Sequence, residues 1–131
     1  MNDREKKISI VVEKTATGFS SFAKDYPIFS TGKSIPDLKI NTLEAVKYYF
    51  EDEVHPLETS ELHFEVDFKQ FFQYYRVLNA KFLADKIGMN PTLLSQYVKG
   101  KKKPSQSQTE KILEGIHQIG AELMELNLIY R

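Results

Sequence analysis

Three consecutive lysines, Lys101 to Lys103, are the longest run of basic residues in the sequence. Such a group of ammonium charges can bind the phosphates of a nucleic acid. A run of like charge is more often a solvated surface, and it becomes a phosphate-binding element only beside a structure that carries it to DNA. The segment that precedes the lysines therefore decides their interpretation.

Carboxylates, histidines and serines could also do chemistry, but their spacing argues against catalysis. A two-metal nuclease needs several acids on adjacent strands, whereas the predicted first strand offers only Glu13 and the next two offer none. The histidines, His55, His63 and His117, are scattered and have no cysteine or i, i+4 partner. No serine stands in a nucleophile elbow, and no glycine-rich loop joins a strand to a helix. We expect no catalytic residue, no metal site and no cofactor.

An acidic group, Glu51, Asp52 and Glu53, stands where the long helix of the first half is predicted to end. Negative charge at a helix C-terminus is unfavourable by about 0.3 to 1 kcal/mol per exposed group. These residues either form a surface for a basic partner or are solvated charges in a loop. The sequence leaves both interpretations open.

Composition and charge divide the chain into two unlike halves. The 131 residues include no cysteine, and a hydrophobic content of 41% is enough for packed cores. Residues 1–67 carry 8 basic against 13 acidic residues, a net charge of −5, whereas residues 68–131 carry 10 against 5, a net charge of +5. A basic half suits nucleic acid and an acidic half suits a basic protein. No apolar run approaches about 18 residues and residues 2–7 are polar, so we expect no membrane segment and a cytoplasmic location.

Local patterns in the first half predict a small β-β-β-α-β sheet domain. Alternating and β-branched residues predict strands, and small polar residues with glycine predict turns. The strands are expected at 8–14, 19–23, 28–30 and 62–66, with turns at 16–18 and 31–33. A capping box, Ser34-x-x-Asp37, begins the long helix. Its apolar stripe should lie on the sheet and consists of Ile35, Leu38, Thr42, Ala45, Val46 and Tyr49.

In the second half, two short helices are predicted immediately before the lysines. Gly88 follows the first helix, where a left-handed stop is needed that only glycine adopts cheaply. Asn90 is a good N-cap and Pro91 suits the first helical position, so a second helix begins there and continues to Gly100. Two helices that cross steeply through such a short turn, with the small Ala84 at the crossing, form a helix-turn-helix.

The same segment resembles the phage repressor and Cro-like helix-turn-helix family. The pattern is Leu83-Ala84-x-x-x-Gly88, then Ser95, Gly100, the three lysines and Pro104-Ser105, and it covers roughly residues 68 to 126. The resemblance implies that the second helix enters the major groove of operator DNA. The DNA-contacting residues it implies are Asn90, Pro91, Thr92, Ser95, Gln96, Lys99, Lys101, Lys102 and Lys103.

The first half resembles the HicB family of antitoxins over residues 8 to 67. The residues that carry this resemblance are ISIVVEKTATGFSSFAKDYPIF, the Gly32 turn and the helix with Thr42-Leu43-Glu44-Ala45-Val46. The resemblance implies a truncated ribonuclease-H-like fold that binds a small basic RNA-cleaving toxin of the HicA type. It also implies that the second domain represses the shared operon.

The end of the chain predicts a contact between two copies. From Ile112 to Leu126 its apolar residues are spaced by 4, 3, 4 and 3 positions, which is the spacing of a short heptad repeat. Leu128 and Ile129 are two further apolar residues beyond this repeat. We expect a homodimer or a higher oligomer whose contact includes Ile119, Leu123, Leu126 and Leu128.

The sequence thus predicts an α+β chain, with a toxin-binding domain at 1–67 and an all-α helix-turn-helix domain for DNA binding and dimerisation at 68–131. The favoured function is an antitoxin that also represses its own operon. The alternative is a stand-alone transcription regulator whose first domain binds another partner or ligand. A nucleic-acid-processing enzyme is the third hypothesis.

Overall fold

The computed structural model of the chain describes residues 7–51 and 61–130. In these residues the fold is α+β, with a four-stranded mixed sheet and five α-helices, and the strands precede most of the helices. No helix in the described ranges is both long and apolar enough to cross a bilayer. The elements are β1 (Ile8–Thr15), β2 (Gly18–Ala23), β3 (Phe29–Gly32), α1 (Ile35–Tyr49), β4 (Leu62–Val66), α2 (Phe68–Tyr74), α3 (Ala80–Ile87), α4 (Pro91–Val98), α5 (Gln106–Met124) and a final 3-10 helix (Glu125–Tyr130).

The sheet has the strand order β3-β2-β1-β4. β1 pairs with β2, and β2 with β3, as antiparallel neighbours, whereas β1 and β4 run parallel. Parallel neighbours need a crossover connection, and α1 lies in the connection between β3 and β4. The core beneath α1 consists of Ile8, Ile10, Ala23, Ile28, Val46 and Leu62.

The start of α1 confirms the predicted cap, since the Ser34 hydroxyl accepts a hydrogen bond of 3.2 Å from the backbone N–H of Asp37. Leu38, Thr42 and Val46 are buried as predicted. The prediction was wrong for Ile35 and Tyr49, which are 39% and 46% exposed. These residues are the first and last of α1. A side chain at a helix end has an adjacent helical turn on one side along the axis only, so it is less well covered.

The predicted turn at 31–33 is also partly wrong, because β3 continues through Thr31 to Gly32. A Cβ atom at Gly32 would overlap the backbone of Leu38 in α1. Glycine at this position therefore permits the close approach of the strand to the helix, in addition to its turn propensity.

A buried hydroxyl pair joins α1 to the middle of the sheet. Ser21 and Thr42 are only 3% and 1% exposed, and their hydroxyl oxygens are 2.8 Å apart. Thr42 donates its one hydroxyl proton to the Leu38 carbonyl at 2.6 Å. Ser21 is therefore the donor of the bond to Thr42, because a hydroxyl has a single proton.

Replacing Thr42 by Val should destabilise the first unit by about 1 to 3 kcal/mol, because the buried Ser21 hydroxyl would lose its acceptor. The double change Ser21→Ala with Thr42→Val should recover part of that loss, since no unpaired polar group would remain. Urea denaturation of the four proteins of this double-mutant cycle measures the coupling. Strictly additive losses would contradict an energetically significant hydrogen bond between Ser21 and Thr42.

The chain divides between Phe71 and Phe72 into two compact units, whereas the sequence places a domain boundary between residues 67 and 68. The first turn of α2 is held to β1 beyond the end of β4. Asp67 donates its backbone N–H to the Val12 carbonyl at 3.1 Å. The side-chain amide of Gln70 binds both backbone groups of Lys14. Its oxygen accepts from the Lys14 N–H at 2.9 Å, and its NH2 group donates to the Lys14 carbonyl at 2.7 Å, as the backbone of a neighbouring strand would.

The second unit is helical in its described residues and has its own core. Leu94 and Ile112 are fully buried, and Leu83, Ala84, Met89 and Tyr97 are at most 6% exposed. These residues come from α3, α4, α5 and the turn between α3 and α4. The packing therefore fixes α4 by its apolar side and leaves its other side to solvent.

Candidate nucleic-acid interface

The turn between α3 and α4 is set by backbone bonds that the sequence predicts. Gly88 has a left-handed φ of 70°. Its N–H donates to Asp85 O at 3.3 Å, and the N–H of Met89 donates to Ala84 O at 2.9 Å. These are the two bonds of a Schellman motif, and the buried Met89 side chain is its usual apolar companion. The predicted end of α3 at Gly88 is confirmed.

The start of α4 is equally well defined. The side-chain oxygen of Asn90 accepts from the N–H groups of Thr92 and Leu93, at 2.8 and 3.3 Å. Pro91 is the first helical residue, so the predicted cap is confirmed. Asn90 and Pro91 are both exposed. The cap orients the first turn of α4 with its surface residues toward solvent.

The two sides of α4 have opposite character. Leu94 and Tyr97 are buried at 0% and 6% exposure. The opposite side presents residues at positions i, i+3, i+4 and i+7, which share one face of a helix, and these are Thr92, Ser95, Gln96 and Lys99. Thr92 and Lys99 are exposed, and Ser95 and Gln96 are half-buried. This stripe can donate and accept hydrogen bonds along the whole helix.

The lysine run is folded back onto the end of α4. The backbone N–H groups of Lys101 and Lys102 donate to the Gln96 carbonyl at 2.9 and 3.3 Å, and Gly100 has a left-handed φ of 73°. All three lysines are exposed. Cations are favourable near the carbonyl end of a helix. The structure therefore brings the predicted DNA-contacting residues, Asn90 to Lys103, together on α4 and its two ends.

α5 packs against α3 behind this surface through a close contact at Gly115, and sequence reasoning missed that contact. Glycine is a poor helix former, but Gly115 is buried, and a Cβ atom there would overlap the Cγ2 methyl of Ile87 in α3. Lys86 and Glu122 add an ion pair of 3.0 Å between the same helices. The available signal was the place of Gly115 three residues after Ile112 on the buried stripe, where a small residue indicates close helix packing.

The predicted dimer residues lie on the exposed end of the chain. Leu123 and Leu126 are 62% and 58% exposed, and Ile119 is half-buried. Met124, which was not predicted, is 78% exposed beside them. The side chain of Leu128 lies outside the described residues.

Of the predicted acidic group, Glu51 is exposed directly after α1, and Asp52 and Glu53 lie outside the described residues. Glu65, on β4, is bound to Lys24 at 2.8 Å. That carboxylate is therefore largely neutralised within the first unit and contributes little to an acidic surface.

Within residues 7–51 and 61–130, no three metal-binding side chains come together. The candidate functional site is therefore the polar and basic side of α4.

No family model, curated protein or solved structure matches the chain.

Proposed function

We propose that this chain is a two-domain antitoxin that also represses its own operon. In this proposal α3 and α4 form a helix-turn-helix, and α4 enters the major groove of operator DNA. The observation that carries it is the opposite character of the two sides of α4, since Leu94 and Tyr97 fix the helix while Thr92, Ser95 and Gln96 face outward. A major groove about 12 Å wide admits one helix, and the lysines behind it would meet the flanking phosphates.

Each outward residue has a distinct role in the proposal. Gln96 can form a bidentate hydrogen bond with adenine, and the methyl group of Thr92 can contact a thymine methyl. Pro91 offers van der Waals contact only. Asn90, Lys99 and Lys101 to Lys103 surround these base contacts and position the helix on the backbone.

Replacing Gln96 by Ala should relax the preference at one base pair by about 1 to 3 kcal/mol, because one bidentate base contact is lost. The measurement is fluorescence titration against the operator and its single-base variants. Gln118→Ala removes the same side chain from an exposed position on α5 and serves as the control. Uniform weakening on every sequence would remove Gln96 from a base-contacting role.

A single helix contacts too few bases for strong specificity, so the proposal includes a homodimer on a palindromic operator. Two copies of α4 would then occupy half-sites about 34 Å apart. The exposed Leu123 and Leu126 support a contact between copies at this end of the chain.

For the first unit we propose binding of a small basic RNA-cleaving toxin of the HicA type. Three antiparallel strands, a helix and a fourth strand parallel to β1 are compatible with a truncated ribonuclease-H-like fold. The net charge of −5 in residues 1–67 supports a basic partner.

The full chain should bind a basic protein encoded beside its gene, with an association rate that falls at least about tenfold from low to high salt, because opposite charges steer the encounter. Stopped-flow fluorescence measures this rate. Reversing Glu51, Asp52 and Glu53 to lysine should slow association further.

The matched control for this reversal is Glu110, Glu114 and Glu125 to lysine, which places the same charge change on exposed residues of the second unit. Equal slowing in both variants would assign steering to net charge alone. Absence of any such complex would favour the stand-alone regulator.

A further inference from the structure

The two sides of the sheet differ in what covers them. Directly paired residues of neighbouring strands point to the same side, and Ser21 points to Thr42 of α1. The residues next to Ser21 in β2, Ser20 and Phe22, therefore point to the other side. Their cross-strand partners point there too, which gives two adjacent rows, Glu13-Ser20-Thr31 and Val11-Phe22-Phe29.

Most residues of these rows, together with Ser21 and Ser30, border an open depression of about 470 Å³, whose lining is Glu13, Ser20, Ser21, Phe22, Phe29, Ser30 and Thr31. Phe29 is 74% exposed at the edge of the sheet. Within the described residues, no hydrogen bond or ion pair engages the Glu13 carboxylate, whereas the neighbouring Lys14 donates its ammonium to Thr15 O and Gly18 O. The depression thus combines one unneutralised acid with hydroxyl groups and two phenyl rings.

We propose that this depression binds an arginine side chain of the basic partner, an inference that rests on the proposed function of the first unit. Glu13 would pair with the guanidinium, and the hydroxyl oxygens of Ser20 and Thr31 would accept its remaining N–H groups. The rings of Phe22 and Phe29 suit a flat cation, which stacks on aromatic faces. Arginine fits better than lysine because its planar group has five donors in a fixed arrangement.

The charges support this occupant. Among the described residues, no basic side chain lines the depression, and it belongs to the half of the chain with a net charge of −5. A phosphate or nucleic acid would be repelled by Glu13.

The test uses the full ¹⁵N-labelled chain and two probes, N-acetyl-arginine amide and its neutral isostere N-acetyl-citrulline amide. Arginine amide should shift the backbone amide signals of Ser20, Phe22 and Thr31, and citrulline amide should bind about fivefold more weakly, since its urea lacks the charge and has an acceptor oxygen in place of one NH2 donor group. Glu13→Gln should lower the affinity for arginine amide by about the same factor. Glu44→Gln, an exposed acid on α1 across the sheet, should change nothing.

Three results would overturn the inference. The amide signals could shift equally with citrulline amide, they could shift equally in the Glu13→Gln variant, or they could shift near every acidic residue. The neighbour-encoded basic protein separates this inference from the proposed function. If it binds the chain with an affinity that Glu13→Gln leaves unchanged, the inference fails while the proposed function stands. If arginine amide binds in a way that depends on Glu13 but no basic protein binds the chain, the site is supported. That result would contradict only the proposed function.

Discussion

Replacing Lys101, Lys102 and Lys103 by alanine is expected to weaken DNA binding by about two to three orders of magnitude at roughly 0.1 M salt. Each lysine that neutralises a phosphate releases counterions, so three lost contacts should lower the slope of log affinity against log salt by about 2.7. All three lysines are exposed, and the backbones of Lys101 and Lys102 are held at the end of α4 by the Gln96 carbonyl, so the run would meet phosphate as one group. Fluorescence anisotropy with operator and scrambled duplexes at several salt concentrations measures both quantities.

The control for this variant is the change of Lys7, Lys33 and Lys47 to alanine, which removes the same charge from exposed positions of the first unit. It should leave the salt slope nearly unchanged. An equal loss in both variants, or an unaltered slope in the first, would mean that the lysines after α4 do not contact phosphate. The loss should also be the same on both duplexes, because phosphate contacts carry no sequence information.

Leu94→Ala should destabilise the second unit by about 2 to 5 kcal/mol, because Leu94 is completely buried and its removal leaves a cavity. A unit of this size loses roughly 4 to 8 °C in melting temperature per kcal/mol. Small domains have little stability in reserve. We therefore expect α3 to α5 to lose hydrogen-exchange protection, and DNA binding to be lost with it, while β1 to β4 keep theirs.

Ile40→Ala is the control, since it removes a group of the same size from a side chain on α1 that is 59% exposed and lies outside the proposed dimer contact. It should cost well under about 1 kcal/mol. Hydrogen exchange followed by mass spectrometry distinguishes the units peptide by peptide. Simultaneous loss of protection in the sheet would contradict the expectation that the second unit unfolds alone.

The local features of the interface were predictable from sequence. Ser34, Gly88 and Asn90 act through bonds to residues within a few positions along the chain. A helix cap or a left-handed glycine carries its signal in its own neighbourhood, and so does the period of an apolar stripe. For this reason the ends of α1, α3 and α4 and the four strands could be expected at nearly their observed places.

What depended on long-range packing came only from the tertiary structure. The exposed Ile35 and Tyr49 have the same spacing as the buried residues of their stripe, and they differ from those residues in lying at the two ends of α1, where the packing leaves them partly uncovered. The sequence by itself determined most of the helical, extended and capping residues, because those preferences are local, whereas the continuation of β3 through Thr31 to Gly32 was not predicted. The tertiary structure decided that β4 runs parallel to β1, that Gly115 packs on Ile87 and that Glu13 lies on the side of the sheet opposite α1. Each of these contacts joins residues far apart in the chain, where no local periodicity or propensity records the partner.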